Sequence, residues 1–275
     1  MILGYNTNGF AHHRLEDALA VLAGLGYEGV ALTLDHHALN PFDPLLFDQL
    51  HRVRDLLRVY RLRAVIETGA RFLLDARRKH QPTLLDPDPV MREYRREFLR
   101  RAAYVAAALG VGVVSFWSGT PVDDAPPAVL MERLVESCAI LAQEAESLQD
   151  VRLAFEPEPG MFLDSMARYA ELFERVNHPR FGLTLDIGHL HCLSEPIGPT
   201  LRRWKDVLWN VHIEDMRRGV HEHLMFGEGE IDFGEVLRTL HEIDYQGGVY
   251  VELSRHSHDA VETARKALAF LRAVR

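Results

Sequence analysis

Four strand-like runs in the second half of the chain each end in a side chain that can bind a metal. They read Leu153-Ala-Phe-Glu156-Pro-Glu158, Gly182-Leu-Thr-Leu-Asp186-Ile-Gly-His189, Trp209-Asn-Val-His212-Ile-Glu214-Asp215 and Gly248-Val-Tyr-Val-Glu252-Leu. Glu156, Asp186, His212 and Glu252 are spaced 30, 26 and 40 residues apart, about one βα unit each. If the runs are parallel strands of one closed sheet, their polar ends share a face and the four side chains converge. Three carboxylates and one imidazole would repel one another without a cation, so a divalent ion is the physical reason to collect them. Oxygen-rich ligation favours Mn²⁺, Mg²⁺ or Co²⁺, and Zn²⁺ also fits. Taken singly, each residue reads equally well as a polar strand end facing water.

The elements that must position this set alternate along the whole chain. Ile2–Asn6 is a short apolar run. Leu15–Leu25 repeats apolar residues at helical spacing and stops at Gly26, which has the chemistry of a C-terminal cap. Gly29-Val-Ala-Leu-Thr-Leu-Asp35 is a second strand, 44–60 a helix, and Ala64-Val-Ile-Glu67 a third strand. The connection 72–89 is long for a βα loop, and such loops carry function or move. A helix over 90–109, a strand over 111–116 and a helix over 127–148 follow. After the fifth and sixth runs the pattern places helices near 165–176 and 199–206. Further helices fall at 233–243 and 259–273. Eight strands alternate with eight helices, with no break in composition. This predicts an α/β protein, a single-domain (β/α)8 TIM barrel over 1–275, with its active site at the carboxyl ends of the strands. A doubly wound open sheet is the alternative.

Composition narrows the function. At 275 residues and 47% hydrophobic content, the chain can bury one large core. There is no apolar run of membrane-spanning length and no signal-peptide layout, so a cytoplasmic protein without a membrane partner is expected. Cys138 and Cys192 are too few for a disulfide framework. The net charge of −9 argues against nucleic acid as a partner. Lysine occurs only at 79, 205 and 266, never at the end of an apolar run, so Schiff-base chemistry lacks its nucleophile. No Gly-rich phosphate or dinucleotide loop is present.

On these motifs, together with Val211-His212-Ile-Glu-Asp215 and Phe226-Gly-Glu-Gly-Glu-Ile231-Asp-Phe233, the chain resembles the xylose isomerase-like TIM-barrel superfamily. That superfamily includes sugar isomerases, ketose 3-epimerases, myo-inosose dehydratase and endonuclease IV. The resemblance covers essentially the whole chain and does not pick out a member. It implies Glu156, Asp186, His212 and Glu252 as metal ligands, with Glu156 and Glu252 also the acid/base pair on opposite faces of a sugar, polyol or sugar phosphate. A metal-chelated ketose has an acidified α-proton, which one carboxylate removes to give an enediolate and the other replaces. His189 matches a residue that contacts the substrate oxygen beside the metal; capping the following segment is its other reading. The resemblance also allows a homodimer or homotetramer.

Two departures from the superfamily patterns stand out. Endonuclease IV has extra histidines on its early strands and an Asp-x-His pair before the Gly-rich motif. Here the third and fourth strands end in Glu67 and Trp117, and the pair becomes His221-Glu222-His223. That puts a phosphodiesterase site in doubt, and leaves His221 and His223 as substrate ligands, second-ion ligands or solvated loop residues. Epimerases use an arginine shortly after the seventh-strand histidine; Arg217 and Arg218 both offer one. Among weaker candidates, Glu67 reads as a substrate ligand or an ion-pair partner of Arg71. Glu158 reads as a pocket acid or a loop acid, and Trp117 as a wall against the sugar or as core. Asn6, His36 and His37 also lie at strand ends. Arg77-Arg78-Lys79-His80 reads as an anion clamp or as a solvated loop. A dehydratase differs from an epimerase only in whether a β-hydroxyl leaves, and the same residues serve both.

Overall fold

The computed structural model describes residues 1–274. Short apolar runs form the strands β1 (Ile2–Asn6), β2 (Gly29–Thr33), β3 (Arg63–Glu67), β4 (Val113–Phe116), β5 (Arg152–Phe155), β6 (Phe181–Asp186), β7 (Leu208–Ile213) and β10 (Gly248–Val251). They close into a barrel in the order β1-β10-β7-β6-β5-β4-β3-β2, and helices connect successive strands, the arrangement of a (β/α)8 TIM barrel. Between β7 and the next helix an antiparallel hairpin is inserted, β8 (Asp215–Arg217) and β9 (Val220–Leu224). The sequence pattern did not predict this hairpin, because its strands are short and β9 is largely polar.

The helices are α1 (Leu15–Leu25), α2 (Leu46–Tyr60), α3 (Pro89–Leu109), α4 (Pro127–Ala145), α5 (Met166–Val176), α6 (Ile187–Cys192), α7 (Ile197–Trp204), α8 (Phe233–Glu242) and α9 (Ala260–Val274). Their ends follow from local chemistry. Asp88 caps α3 by accepting from Val90 N at 2.9 Å, and Pro89 at the first position lacks an N–H that would have gone unpaired. Gly26 ends α1 at φ +96°, as its position in the sequence predicts. One helix exceeds the sequence pattern: α6 starts directly at the end of β6.

The chain packs as two compact units, 1–32 with 52–65 and 184–274, and 33–51 with 66–183. In the first, β1 pairs with β10 and β10 with β7 in parallel, burying Tyr5, Tyr250 and Val251. In the second, β4 pairs with β5 so that Phe116 lies opposite Phe155, and these rings meet Phe181 at 6.1–6.3 Å between centroids. Aromatic contacts of this kind are each worth about 0.5–1.5 kcal/mol beyond the area they bury. Among the described residues no helix is long and apolar enough to cross a membrane, and Cys138 and Cys192 are buried and free.

Candidate metal centre and active site

The pleat of the sheet fixes where the candidate ligands stand. Glu156 follows the last residue of β5 and is anchored by its N–H to Phe116 O at 2.8 Å. Asp186 ends β6, His212 lies in β7, and Glu252 follows β10 with its N–H on Ile213 O at 3.1 Å. Each of the four offers one ligand atom, and these atoms lie within 4.8 Å of one another. Asp186 and His212 are each 1% exposed and Glu156 is 6% exposed.

Neighbours orient this set. His212 Nδ1 lies 3.0 Å from Glu252 Oε2, and Asn8 Nδ2 donates to Glu252 Oε1 at 2.8 Å. Asn210 Nδ2 faces His212 Nε2 at 3.2 Å. A half-turn of that amide would present its oxygen to an Nε2–H and leave the Nδ1 lone pair for a cation, the usual outer-shell support of a metal-bound histidine. Asp186 Oδ1 caps α6 by accepting from His189 N at 2.9 Å. Its Oδ2 is buried and takes no hydrogen bond beyond a proton it can share with Glu214. Burial opposes charge on both Asp186 and Glu252. The charges of His189 and His223 nevertheless hold Asp186 below the usual carboxylate range, and His212 does the same for Glu252. Glu214, fully buried, goes the other way: burial and then Asp186 push its carboxyl well up. Ionised acids crowded behind a lone-pair-bearing imidazole are a donor set that fits a divalent cation.

Close packing around the set explains two glycines. A Cβ at Gly188 would collide with Glu214 Oε1, and one at Gly229 with the Asp215 carboxylate. Asp215 itself accepts from the backbone N–H of Met216, Gly227, Gly229 and Ile231 at 2.8–3.2 Å, so it shapes the 226–231 loop.

The hairpin brings His221 and His223 toward His189. His221 Nε2 lies 3.1 Å from His189 Nε2, and the three residues offer ligand atoms within 4.8 Å of one another. They are therefore not solvated loop histidines; β9 holds both on one face. Burial lowers the His189 pKa to about 4.

The remaining candidates are spread out. Arg217 is exposed and donates to Glu228 O at 3.1 Å, while Arg218 offers its backbone N–H to Glu230 at 3.3 Å. Glu67 is buried at the end of β3 and its carbonyl accepts from Leu34 N. Trp117 is buried, with the Arg95 guanidinium 4.6 Å over its ring and His80 edge-on at 5.0 Å. Glu158 is half-buried and pairs its N–H with Leu163 O at 3.2 Å. In the 77–80 run Arg78 is paired with Asp75 at 2.7 Å, Arg77 and Lys79 are exposed, and His80 packs on Trp117. Arg71 pairs with Asp35 at 3.8 Å. Asn6 is buried and accepts from Asn8 N; His36 and His37 are exposed.

Sequence reasoning missed Asn8, Asn210 and Glu214 as members of the site. Asn210 and Glu214 lie two residues either side of His212, and strand alternation could have placed Asn210 on its face. Asn8 had no such signal, since its partner is 244 residues away.

Comparison with known proteins agrees with the barrel fold. The family model for xylose isomerase-like TIM barrels matches residues 19–274. The chain is 26% identical over 264 residues to an L-ribulose-5-phosphate 3-epimerase, UlaE, of Shigella flexneri, covering 94% of this chain and 88% of that protein. A putative L-ribulose-5-phosphate 3-epimerase, SgbU, of Escherichia coli is 26% identical over 199 residues, covering 69% of this chain and 68% of that protein. Among solved structures, a D-allulose 3-epimerase from Methylomonas sp. superposes with a TM-score of 0.80 at 21% identity, over 100% of this chain and 98% of the other. With a closed eight-stranded barrel and a family match across nearly its whole length, the chain belongs to the xylose isomerase-like TIM-barrel family.

Proposed function

We propose that this protein is a divalent-metal-dependent sugar epimerase, working as one domain in the cytoplasm on a ketose or ketose phosphate. The observation that carries the reading is the meeting of Glu156, Asp186, His212 and Glu252 within 4.8 Å, in a chain similar to ribulose-phosphate 3-epimerases over 94% of its length. A bound Mn²⁺, Mg²⁺ or Co²⁺, or alternatively Zn²⁺, would supply Lewis acidity at the substrate carbonyl and so acidify the neighbouring C–H.

The chain's own residues do the rest. One of Glu156 and Glu252, ionised, takes the proton from the carbon next to the carbonyl. The C–H electron pair becomes the carbon–carbon double bond of an enediolate as the carbonyl oxygen gains charge. The other glutamate, protonated, returns a proton to the opposite face and inverts the centre. Asn8 steadies Glu252 through Oε1, which limits the orientations of the carboxylate, while Oε2 lies beside His212 Nδ1 where the cation would sit between them. His189, His223, Glu67, Glu158, Trp117 and Arg217 are proposed substrate contacts. Of these, His189 and His223 have the firmest support, because they stand beside Asp186. Dehydration and phosphodiester cleavage draw no support from the relatives named above, which are all described as epimerases.

The test is solvent-deuterium uptake. Ketoses such as D-allulose, and L-ribulose 5-phosphate, are incubated with the protein and Mn²⁺ in D₂O and followed by NMR. Exchange at the carbon beside the carbonyl, with appearance of the epimer, is expected for at least one substrate. Loss of water from the sugar without an epimer would overturn the reading in favour of a dehydratase.

A further inference from the structure

Trp117 follows the last residue of β4, and a buried cation lies against its ring that the reaction above does not use. We propose that Arg95 is a positioning residue: from α3 it fixes the Trp117 indole as a wall against the carbon face of the ketose, and so sets how tightly the substrate is held. The inference rests on the epimerase reading and deepens it.

Strand register places the ring. β4 and β5 run parallel with Phe116 beside Phe155, and the Glu156 N–H continues that ladder onto Phe116 O at 2.8 Å. Trp117 is therefore the neighbour of Glu156 on the adjoining strand, at the strand ends where the candidate ligands stand. An indole there offers a broad, rigid apolar surface on which the C–H face of a sugar can pack.

Several contacts fix that surface. The Arg95 guanidinium lies 4.6 Å over the ring, and His80 meets it edge-on at 5.0 Å and 86°. A Cβ at Gly119 would come within 3.3 Å of Trp117 Cζ3, so the chain also closes on the far edge of the indole. His80 is itself pinned: its N–H donates to Arg71 O at 2.6 Å, and its Nδ1 faces Gly69 O at 2.5 Å. Arg95 Nη2 donates to Thr68 O at 3.2 Å, just past β3, and Thr68 Oγ1 donates to Ser115 O at 2.7 Å in β4. One side chain thus links the ends of β3 and β4 to the ring.

The choice of arginine is what a purely structural role does not explain. Arg95 is fully buried, has no carboxylate partner among the described residues, and keeps Nε and Nη1 without a hydrogen-bond partner. A cation so placed costs stability, and a methionine of similar length would fill the space without that cost. What arginine adds is a planar cation that stacks on the electron-rich face of an indole while one edge stays hydrogen-bonded, which holds the tilt of the ring. Phe98, on the same helix, lies 5.1 Å from the guanidinium and limits its own movement. A wall touches ketose and enediolate alike, so misplacing it weakens binding more than it slows proton transfer.

The test separates ring position from substrate binding. Epimerisation of D-allulose and of L-ribulose 5-phosphate by the Mn²⁺-loaded protein is measured in wild type, Arg95→Met, Arg95→Lys and Trp117→Leu. In parallel, protein labelled with 5-fluorotryptophan is followed by ¹⁹F NMR; its three tryptophans give three resonances, and Trp117→Phe assigns the one of interest. Arg95→Met should raise KM about tenfold with kcat within about twofold, and Arg95→Lys, which keeps the cation without the planar fork, should raise it only about threefold. The Trp117 resonance should be single in wild type and Arg95→Lys and broadened or split in Arg95→Met. Adding Arg95→Met to Trp117→Leu should raise KM no further, since the arginine acts through the ring. Denaturant unfolding verifies that Arg95→Met is folded, and Arg95→Gln carries the same readouts should it not be. An unchanged KM in a folded neutral variant, with or without a moved resonance, would overturn the proposal, as would full additivity in the double variant. A wild type that exchanges neither sugar would sink the epimerase reading and the wall's role with it, which is a different result from a working wild type indifferent to Arg95.

Discussion

Two regions of this protein bury charge in opposite ways. Around β6, β7 and β10, Asp186, His212 and Glu214 are buried and Glu252 half-buried against one another, acids beside acids and imidazoles. Around α3 and β4, Arg95 is fully buried with no ion pair among the described residues. It donates to Thr68 O at 3.2 Å and lies over the rings of Phe98 and Trp117 at 5.1 and 4.6 Å. The aromatic faces supply part of what a carboxylate would, and burial draws the guanidinium pKa down to about 9. The difference teaches two ways of compensating a buried charge. The acid cluster is one that a divalent cation would neutralise, whereas Arg95 leans on two rings and one carbonyl and keeps Nε and Nη1 buried without a hydrogen-bond partner.

The widest split should come from replacing one member of each region. Glu252→Gln should cut turnover by on the order of a thousandfold and somewhat lower the stability of the metal-free protein, since the ionised carboxylate is held by His212 and Asn8. Near-normal turnover would remove Glu252 from the acid/base pair. Arg95→Ala should leave the metal site's affinity unchanged and lower unfolding stability by about 3 kcal/mol, through lost packing around Trp117. Arg95→Met, which keeps bulk without charge, should recover most of that loss; equal damage from both would mean the charge itself is needed.

A pH-dependent difference sharpens the contrast. His80, edge-on to Trp117, has its folded-state pKa lowered to about 4, first by burial and then by the charge of Lys79. The unfolded chain therefore binds more protons between about pH 4 and 6.5. Stability is full above the unfolded value of about 6.5 and falls as the pH drops toward 4, by up to about 2 kcal/mol after allowing for partial exposure. Denaturant midpoints at several pH values should show this slope in the wild type and a shallower one in His80→Gln. The smallest effect is expected from Asn8→Ala, which frees Glu252 Oε1. Turnover should fall about tenfold, with little change in KM, because the carboxylate is less well aimed. A change confined to KM would make Asn8 a binding residue instead.

The alternation of apolar runs and amphipathic stretches made the barrel legible, since each strand is buried on both faces and each helix on one. The position of the four strand-end side chains was legible for the same reason: a polar residue closing an apolar run has few places to go except the rim. The hairpin was not, because β9 is a five-residue, partly exposed strand whose register only its partner reveals, although the His221-Glu222-His223 alternation carried the signal. Glu214 reads in sequence as one more motif acid. Only the close approach of Gly188 shows that it is sealed behind Asp186. The 77–80 run shows the reverse: four basic residues suggest a clamp, yet Arg78 is taken up by Asp75 and His80 by Trp117, so most of that charge is already partnered or solvated.

The central claim is that Glu156, Asp186, His212 and Glu252 hold one divalent cation on which proton exchange depends. The most direct measurement follows deuterium incorporation into the responding ketose before chelation, after chelator treatment and after Mn²⁺ is restored, with bound metal counted at each stage. The account predicts exchange that disappears with the metal and returns with it, and no return in Asp186→Ala. Undiminished exchange in protein stripped of metal would contradict it.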